Sequence, residues 1–475
     1  MSCDAARHVG GNPLVLRMIF SHLSPRDVQT VSLVSRVWRE TSDDPLLWSW
    51  AVMRASGRNL SDVLSSSRIQ AVRGLLYDGG GEDAPTVSDN LRTISNKLMD
   101  NSLSLKYLNV DTYLEDSSEN SIWLARIVCQ VEQVELHDMK LSSDLITFKE
   151  VFADIGRKEN LKLRSLNVSG SCITAVDAET FAQAVNRVEE MKMCRTRMLP
   201  AQLQAMLIEF LAGGSTLKSL DLSRALNIPI EMSLLSQTVC NLVEVKLWGT
   251  DPVIDINHLL SKILETEHLN LRKLDIGGSD LCRVCPRTLS EVACQLEGVG
   301  LSRANLPEAH LSELFSKMSG SDPLKVKDLD VGGNNLSVAV SPNTLANVVT
   351  RTRNVDLWRT HLTEEQIHIL FQNIVNAKNL ELRKLNISQN NLSSLSPAEF
   401  SEALNRLEEV SLYKCKIVNT SNSYGSYSLP HHDCYFHQIC ENPGKLRVLR
   451  GNFSLSQQII GRLNKKLQKF SHSFF

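Results

Sequence analysis

The tightest constraint on this chain is a spacing. An eleven-residue pattern, clearest as LRKLNISQNNL from Leu382 to Leu392, places apolar residues at positions one, four, six and eleven (Leu382, Leu385, Ile387, Leu392), with Asn390 at nine. One series of copies starts at Leu163, Leu217, Leu271, Val326 and Leu382, at intervals of 54, 54, 55 and 56 residues. A second series interleaves at Val188, Leu242, Leu296, Thr352 and Leu407, at intervals of 54, 54, 56 and 55. Further copies start at Leu105, Val131 and Leu446. Alternating apolar residues over so short a stretch make a strand with one buried face, and the segment between copies has room for a return path. Units this small cannot bury a core alone, so they must stack as a solenoid from about residue 105 to the C-terminus.

The pattern resembles the leucine-rich repeat, in which a strand, a turn and an outer helix or irregular segment form one unit. The first series reads like Leu271-Arg-Lys-Leu-Asp-Ile-Gly-Gly and the second like Leu407-Glu-Glu-Val-Ser-Leu-Tyr-Lys, so two unlike units form the true period. That alternation resembles the ribonuclease-inhibitor type, which implies an α/β horseshoe with strands inside and helices outside. Start signals for the outer helices agree: Thr363-Glu364-Glu365-Gln366 and Ser396-Pro397-Ala398-Glu399 both read as capping boxes.

The first fifty residues follow a different rule. Asn12-Pro13 starts a helix whose Leu16, Ile19, Phe20 and Leu23 share one face, and Ser24-Pro25-Arg26-Asp27 starts a second. Val31, Val34 and Trp38 continue an apolar stripe that closes on Asp44-Pro45-Leu46-Leu47-Trp48. A unit of this size with apolar groups on several faces is at the lower limit of independent stability and calls for a protein that covers it. The order of these residues resembles the F-box, a three-helix motif that docks on the adaptor Skp1 of cullin-based ubiquitin ligases. The chain departs from the family in having Asn12 before Pro13 and Ser35 where cysteine is common. The resemblance implies adaptor contacts at Pro13, Leu14, Leu16, Ile19, Phe20, Leu23, Val34, Trp38, Leu47 and Trp48.

The expected organisation is therefore an all-α F-box at 8–50, a junction and N-terminal cap at 51–104, and the repeat solenoid at 105–475. Val72, Leu75 and Tyr77 read as a degenerate first strand, 418–444 as an insertion, and the stretch beyond Leu455 as an amphipathic capping helix ending in Lys465, Lys466 and Lys469.

Composition narrows the function classes. With 42% hydrophobic and 22% charged residues the chain is ordered, and a formal net charge of -2 offers no general attraction to nucleic acid or anionic lipid. The N-terminal stretch has no apolar core of the kind an export signal needs, and no window approaches a membrane span, so a cytoplasmic or nuclear protein is expected. Eleven cysteines without framework spacing fit reduced thiols. Gly79-Gly80-Gly81 lacks the Lys-Ser/Thr of a phosphate loop. His431, His432, Cys434, His437 and Cys440 do not have the spacing of a zinc finger or ribbon, and Cys285, which precedes Pro286 as Ser396 precedes Pro397, reads as a helix start. No catalytic constellation, metal site or cofactor is expected.

Binding is expected on the inner sheet. Position seven of the second series reads His137, Cys194, Trp248, Ser302, Trp358 and Tyr413, which puts aromatic anchors on one face. Charges there mix in sign, with Glu135, Asp221, Asp275, Asp330 and Asp356 among Lys192, Lys246, Lys273, Arg195, Arg303, Arg359 and Lys414, which favours a protein partner. Candidate target contacts are Trp248, Trp358, Tyr413, His137, Arg303, Arg359 and Asp356. Together with the F-box resemblance this implies a non-catalytic substrate receptor of an SCF-type ligase, monomeric within its complex. The alternative is an intracellular repeat-based scaffold or inhibitor with no ligase role.

Overall fold

The computed structural model of the chain describes residues 52–472 apart from internal stretches, among them 418–432; of the first 51 residues it describes Leu16, Leu33, Trp38, Glu40 and Thr41. By its contacts the chain divides into two compact units, Met1–Ile230 and Glu231–Phe475.

In the first unit, seven described strands pair in parallel and in chain order: Val52–Ser56, Gly74–Asp78, Tyr107–Asp111, Gln133–Glu135, Ser165–Asn167, Glu190–Lys192 and Ser219–Asp221. The last five each begin two residues after the apolar residue that opens a repeat. Sheet pairing also reaches into 51–104: Gly74–Asp78 buries Leu75 and Tyr77, and a further strand, Val52–Ser56, lies alongside it.

In the second unit nine parallel strands follow one another: Glu244–Lys246, Lys273–Asp275, Gly298–Gly300, Asp328–Asp330, Asn354–Asp356, Lys384–Asn386, Glu409–Leu412, Val448–Gly451 and Lys469–His472. Their register runs residue for residue, so Lys246, Asp275, Gly300, Asp330, Asp356, Asn386, Ser411 and Arg450 form one row across the strands. The residue before each is a buried Leu or Val such as Leu274, Leu329 or Leu385, and alternation puts its two neighbours on the opposite face. The core thus sits between the sheet and the helices, and the opposite face is open. The expected capping helix is Gln457–Lys466, but Lys469 belongs to a closing strand that pairs with Val448–Gly451. Continuing the ladder satisfies backbone groups that a helix end would leave exposed.

The helices are fixed at both ends by side chains. Thr363 and Gln366, and Ser396 and Glu399, cap reciprocally as their sequence requires. The Nε2 of buried Gln366 also donates to the Leu336 and Val340 carbonyls at 2.9 and 2.6 Å, tying one unit to the one before. Gln202 makes the equivalent bonds to Ile173 and Val176 in the first unit. At the other ends arginines reach back: Arg406 donates to the carbonyls of Ile374, Val375 and Ala377, which close the helix Glu364–Asn376. Arg187 clasps Ile155, Gly156 and Lys158 in the same way. A cation there meets both the orphan carbonyls and the negative end of the helix dipole. Between the helices, Phe371 stacks on Phe400 at 6.3 Å, and Phe400 meets Phe436 edge-on at 5.7 Å.

Candidate functional site

The open face of the second unit carries a groove of about 460 Å³ from Glu244 to Arg450, with the strand Gly298-Val299-Gly300 on its floor. Val299 points into the core, so both residues of this strand that face the groove are glycines. Neighbouring side chains use the space. A Cβ on Gly298 would lie 2.9 Å from Lys273 Cγ, and one on Gly300 would lie 2.5 Å from Asp275 Oδ1. Because Gly298 is bare, Lys273 crosses it and pairs with Asp328 two strands away, Nζ to Oδ2 2.7 Å. Glycine inside a strand commonly marks such close approach.

Charge divides across the groove. Lys246 pairs with Glu244 at 3.2 Å, and Lys384 and Arg450 both pair with Glu409, at 3.3 and 2.5 Å. Asp328 accepts from Lys273 and from Asn354 Nδ2; burial works against its charge, but these donors hold it below the usual carboxylate range. Asp330 and Asp356 are different. Asp330 accepts from the Gly332 amide at 2.9 Å and from the Ser302 side chain, and Asp356 from the Trp358 amide at 2.9 Å and from Asn386 Nδ2 at 2.8 Å, all neutral donors. Burial, with the charges of Asp356 and Asp275, pushes Asp330 up to about 7. Burial also raises Asp356.

Of the expected target contacts, Asp356 lines this groove, while Trp358 and Arg303 meet each other outside its lining. The Arg303 guanidinium lies over the Trp358 ring, 4.8 Å from its centroid. Both tryptophans are half-buried and pack on glycine turns of adjacent units: Trp248 on Gly277-Gly278, which follow it, and Trp358 on Gly332, which precedes it. One side of each ring is therefore taken up in packing. Trp248 is set on a strand four positions from that of Trp358, about 19 Å along the sheet. Tyr413 is half-buried, its amide bonded to Ser388 Oγ at 2.9 Å, and Arg359 is exposed with a left-handed φ of 51°. His137 lies outside the described residues. The sequence reading missed the glycine floor; the sign of it was Gly-Val-Gly standing where other units have Lys-Leu-Asp or Asp-Leu-Asp.

Of the expected adaptor contacts, Leu16 is buried at 1% exposure. Trp38 is half-buried. Pro13, Leu14, Ile19, Phe20, Leu23, Val34, Leu47 and Trp48 lie outside the described residues. Cys285 stands at the N-cap position of the helix Pro286–Gln295 as expected, without a side-chain capping bond. His437 lies 3.6 Å from Glu441 and 3.4 Å from Arg462; His431, His432 and the Cys434 side chain are outside the described residues. Among the described residues, no three His, Cys, Asp or Glu side chains are grouped to hold a metal ion, and no helix is long and apolar enough to cross a membrane.

A family model described as F-box-like matches residues 14–54, and one described as Leucine Rich Repeat matches residues 381–403, which contain the strand Lys384–Asn386. The chain thus has an F-box-like domain at its N-terminus and a leucine-rich-repeat fold after it. No curated protein matches it. Among solved structures it is similar to the leucine-rich repeat-containing protein LegL7 from Legionella pneumophila, at 17% identity over 56% of this chain and 86% of that one, with a TM-score of 0.38. It is also similar to a chain of the mouse RP105/MD-1 complex, at 15% identity over 84% of this chain and 70% of that one, with a TM-score of 0.35.

Proposed function

We propose that this chain is the substrate-recognition subunit of an SCF-type ubiquitin ligase, its F-box-like segment holding a Skp1-like adaptor and its repeat face holding a protein target. The observation that carries this reading is the presence of the two parts in one chain: an F-box-like match at 14–54 and a Leucine Rich Repeat match at 381–403. Each part has surface for one partner and neither needs a catalytic group. Holding both partners at once raises the effective concentration of target lysines near the ubiquitin-charged enzyme, which is the whole of its contribution to rate. Such a subunit works in the cytoplasm or nucleus, as a monomer within the ligase.

The test is co-purification of the full chain with Skp1. Leu14→Glu and Ile19→Glu are expected to abolish capture while circular dichroism of the repeats is unchanged. Leu16 is a poor choice because its burial would confound folding with binding. Capture that survives both changes, or is absent in the unmodified chain, defeats the ligase reading. A repeat scaffold with no ligase role is then favoured.

A further inference from the structure

We propose that the groove over Gly298 and Gly300 seats lysine or arginine side chains of an extended segment of the protein target, a reading that rests on the repeat face being the target-binding surface. The cavity exists because one strand presents no side chain to the open face, while the strands on either side present Lys273 and Asp275, and Asp328 and Asp330. The cations on its walls are already matched: Lys246 to Glu244, Lys273 to Asp328, Lys384 and Arg450 to Glu409. Among the described residues, neither Asp330 nor Asp356 has a cation within ion-pair distance, and both accept from neutral groups. The Oδ1 of Asn354, on the same wall, is buried and accepts no hydrogen bond. The groove is thus rich in acceptors and short of one thing, a positively charged donor.

Geometry decides which kind of cation. Asp275, Asp330 and Asp356 occupy one row, with Gly300 between the first two. At about 4.8 Å per strand that row is roughly 14 Å long. A line of this length does not converge on a point, in keeping with the lack of any metal-holding group of His, Cys, Asp or Glu among the described residues. An extended chain does span it, because side chains on one side of such a chain recur about every 6.6 Å and three of them cover roughly 13 Å. The aliphatic stem of Lys or Arg fills the space above the glycines and its head reaches the carboxylates.

The experiment uses the full chain and two fluorescein-labelled peptides, (Lys-Ser)4 and (Glu-Ser)4, with binding read by fluorescence anisotropy at matched ionic strength. Alternation puts every charged residue on one side of the extended peptide. The basic peptide is expected to bind and the acidic one to fail. Asp330→Asn, which keeps shape, and Gly300→Leu, which fills the groove, should each weaken the basic peptide by about ten-fold. Asp322→Asn, at an exposed carboxylate away from the groove, should leave it unchanged. Equal binding of the two peptides, no effect of Asp330→Asn and Gly300→Leu, or an equal effect of Asp322→Asn overturns the proposal. Skp1 capture is measured on the unmodified chain in parallel: no binding of the basic peptide with capture intact refutes only this seat, and peptide binding without capture refutes only the ligase reading.

Discussion

Arg303 holds its guanidinium 4.8 Å from the centroid of the Trp358 ring, and it does so from a left-handed backbone, φ 51°. A side chain in that region costs about 1–2 kcal/mol relative to glycine. Arg359 sits in the same conformation at the equivalent turn of the next second-series unit, with φ 51°. A cation over an indole returns about 0.5–2 kcal/mol. Arg303→Gly should therefore be more destabilising than Arg359→Gly by about 1 kcal/mol. Urea unfolding midpoints of the two variants measure the difference, and equal midpoints would show that the stacking contributes nothing.

Arg406 closes the helix Glu364–Asn376 from the neighbouring unit, through the carbonyls of Ile374, Val375 and Ala377. Hydrogen bonds to a charged group are worth about 1.5–3 kcal/mol each when one partner is removed, and these three share one donor group. Arg406→Ala should cost about 2–4 kcal/mol and Arg406→Lys nearly as much, because an ammonium cannot fork between carbonyls on successive residues. Calorimetry gives the cost. Hydrogen exchange should show faster opening of the helix end, and protection equal to the unmodified chain's would count against the clasp.

The exposed thiol of Cys285 sits at the start of the helix Pro286–Gln295, and the Thr288 backbone and side chain, with the Arg287 amide, hold it below the usual thiol range. Burial drives Cys129 and Cys415 the other way, up to about 12. Reactivity follows the thiolate. Iodoacetamide near neutral pH should label Cys285 first and reach Cys129 and Cys415 only after unfolding, as peptide mass spectrometry would show. Cys285→Ala should be close to neutral in stability, whereas Cys285→Ser, which can cap as Ser396 does, should gain about 0.5–1 kcal/mol. Labelling of Cys415 at the same rate in the folded chain would contradict this.

These positions differ in how far the sequence revealed them. Cys285 was legible because Ser396 and Ser341 stand before proline at the same repeat position, and all three occupy the N-cap position of a helix. The strands were legible for a similar reason, since a buried Leu or Val between two polar residues recurs at Leu274, Leu329 and Leu385. Tryptophan placement was not. Trp248 and Trp358 share a repeat position, yet one ring covers the glycine turn after it and the other the turn before it. Which way a ring falls depends on where a neighbouring unit lacks a Cβ, and that is a contact between units that no single repeat encodes. The groove was hidden for the same reason: Gly298 and Gly300 matter through what Lys273 and Asp275 do above them. The closing strand at Lys469 has no repeat pattern to announce it and follows from the ladder it completes.

Asp330 makes stability depend on pH in a direction opposite to most carboxylates. Its folded value is pushed up to about 7 by burial and by the facing carboxylates Asp356 and Asp275, against the Gly332 amide and Ser302, which hold the charged form. Unfolded, it ionises near the ordinary value of about 3.9. Between these two values the folded chain keeps a proton that the unfolded chain has released, so stability falls as pH rises from about 4 to about 7 and is level above that. Asp356, also raised, acts in the same sense. Groups held low, such as Asp177 and Glu297, lose their contribution as pH falls below about 5 and bear only on the acid edge of this window. Asp330→Asn should therefore raise the melting temperature at pH 8 by about 2–4 °C and flatten the decline seen in the unmodified chain between pH 5.5 and pH 8. Parallel melting curves for the two proteins across that range would mean that Asp330 ionises normally, with its charge already compensated in the folded chain.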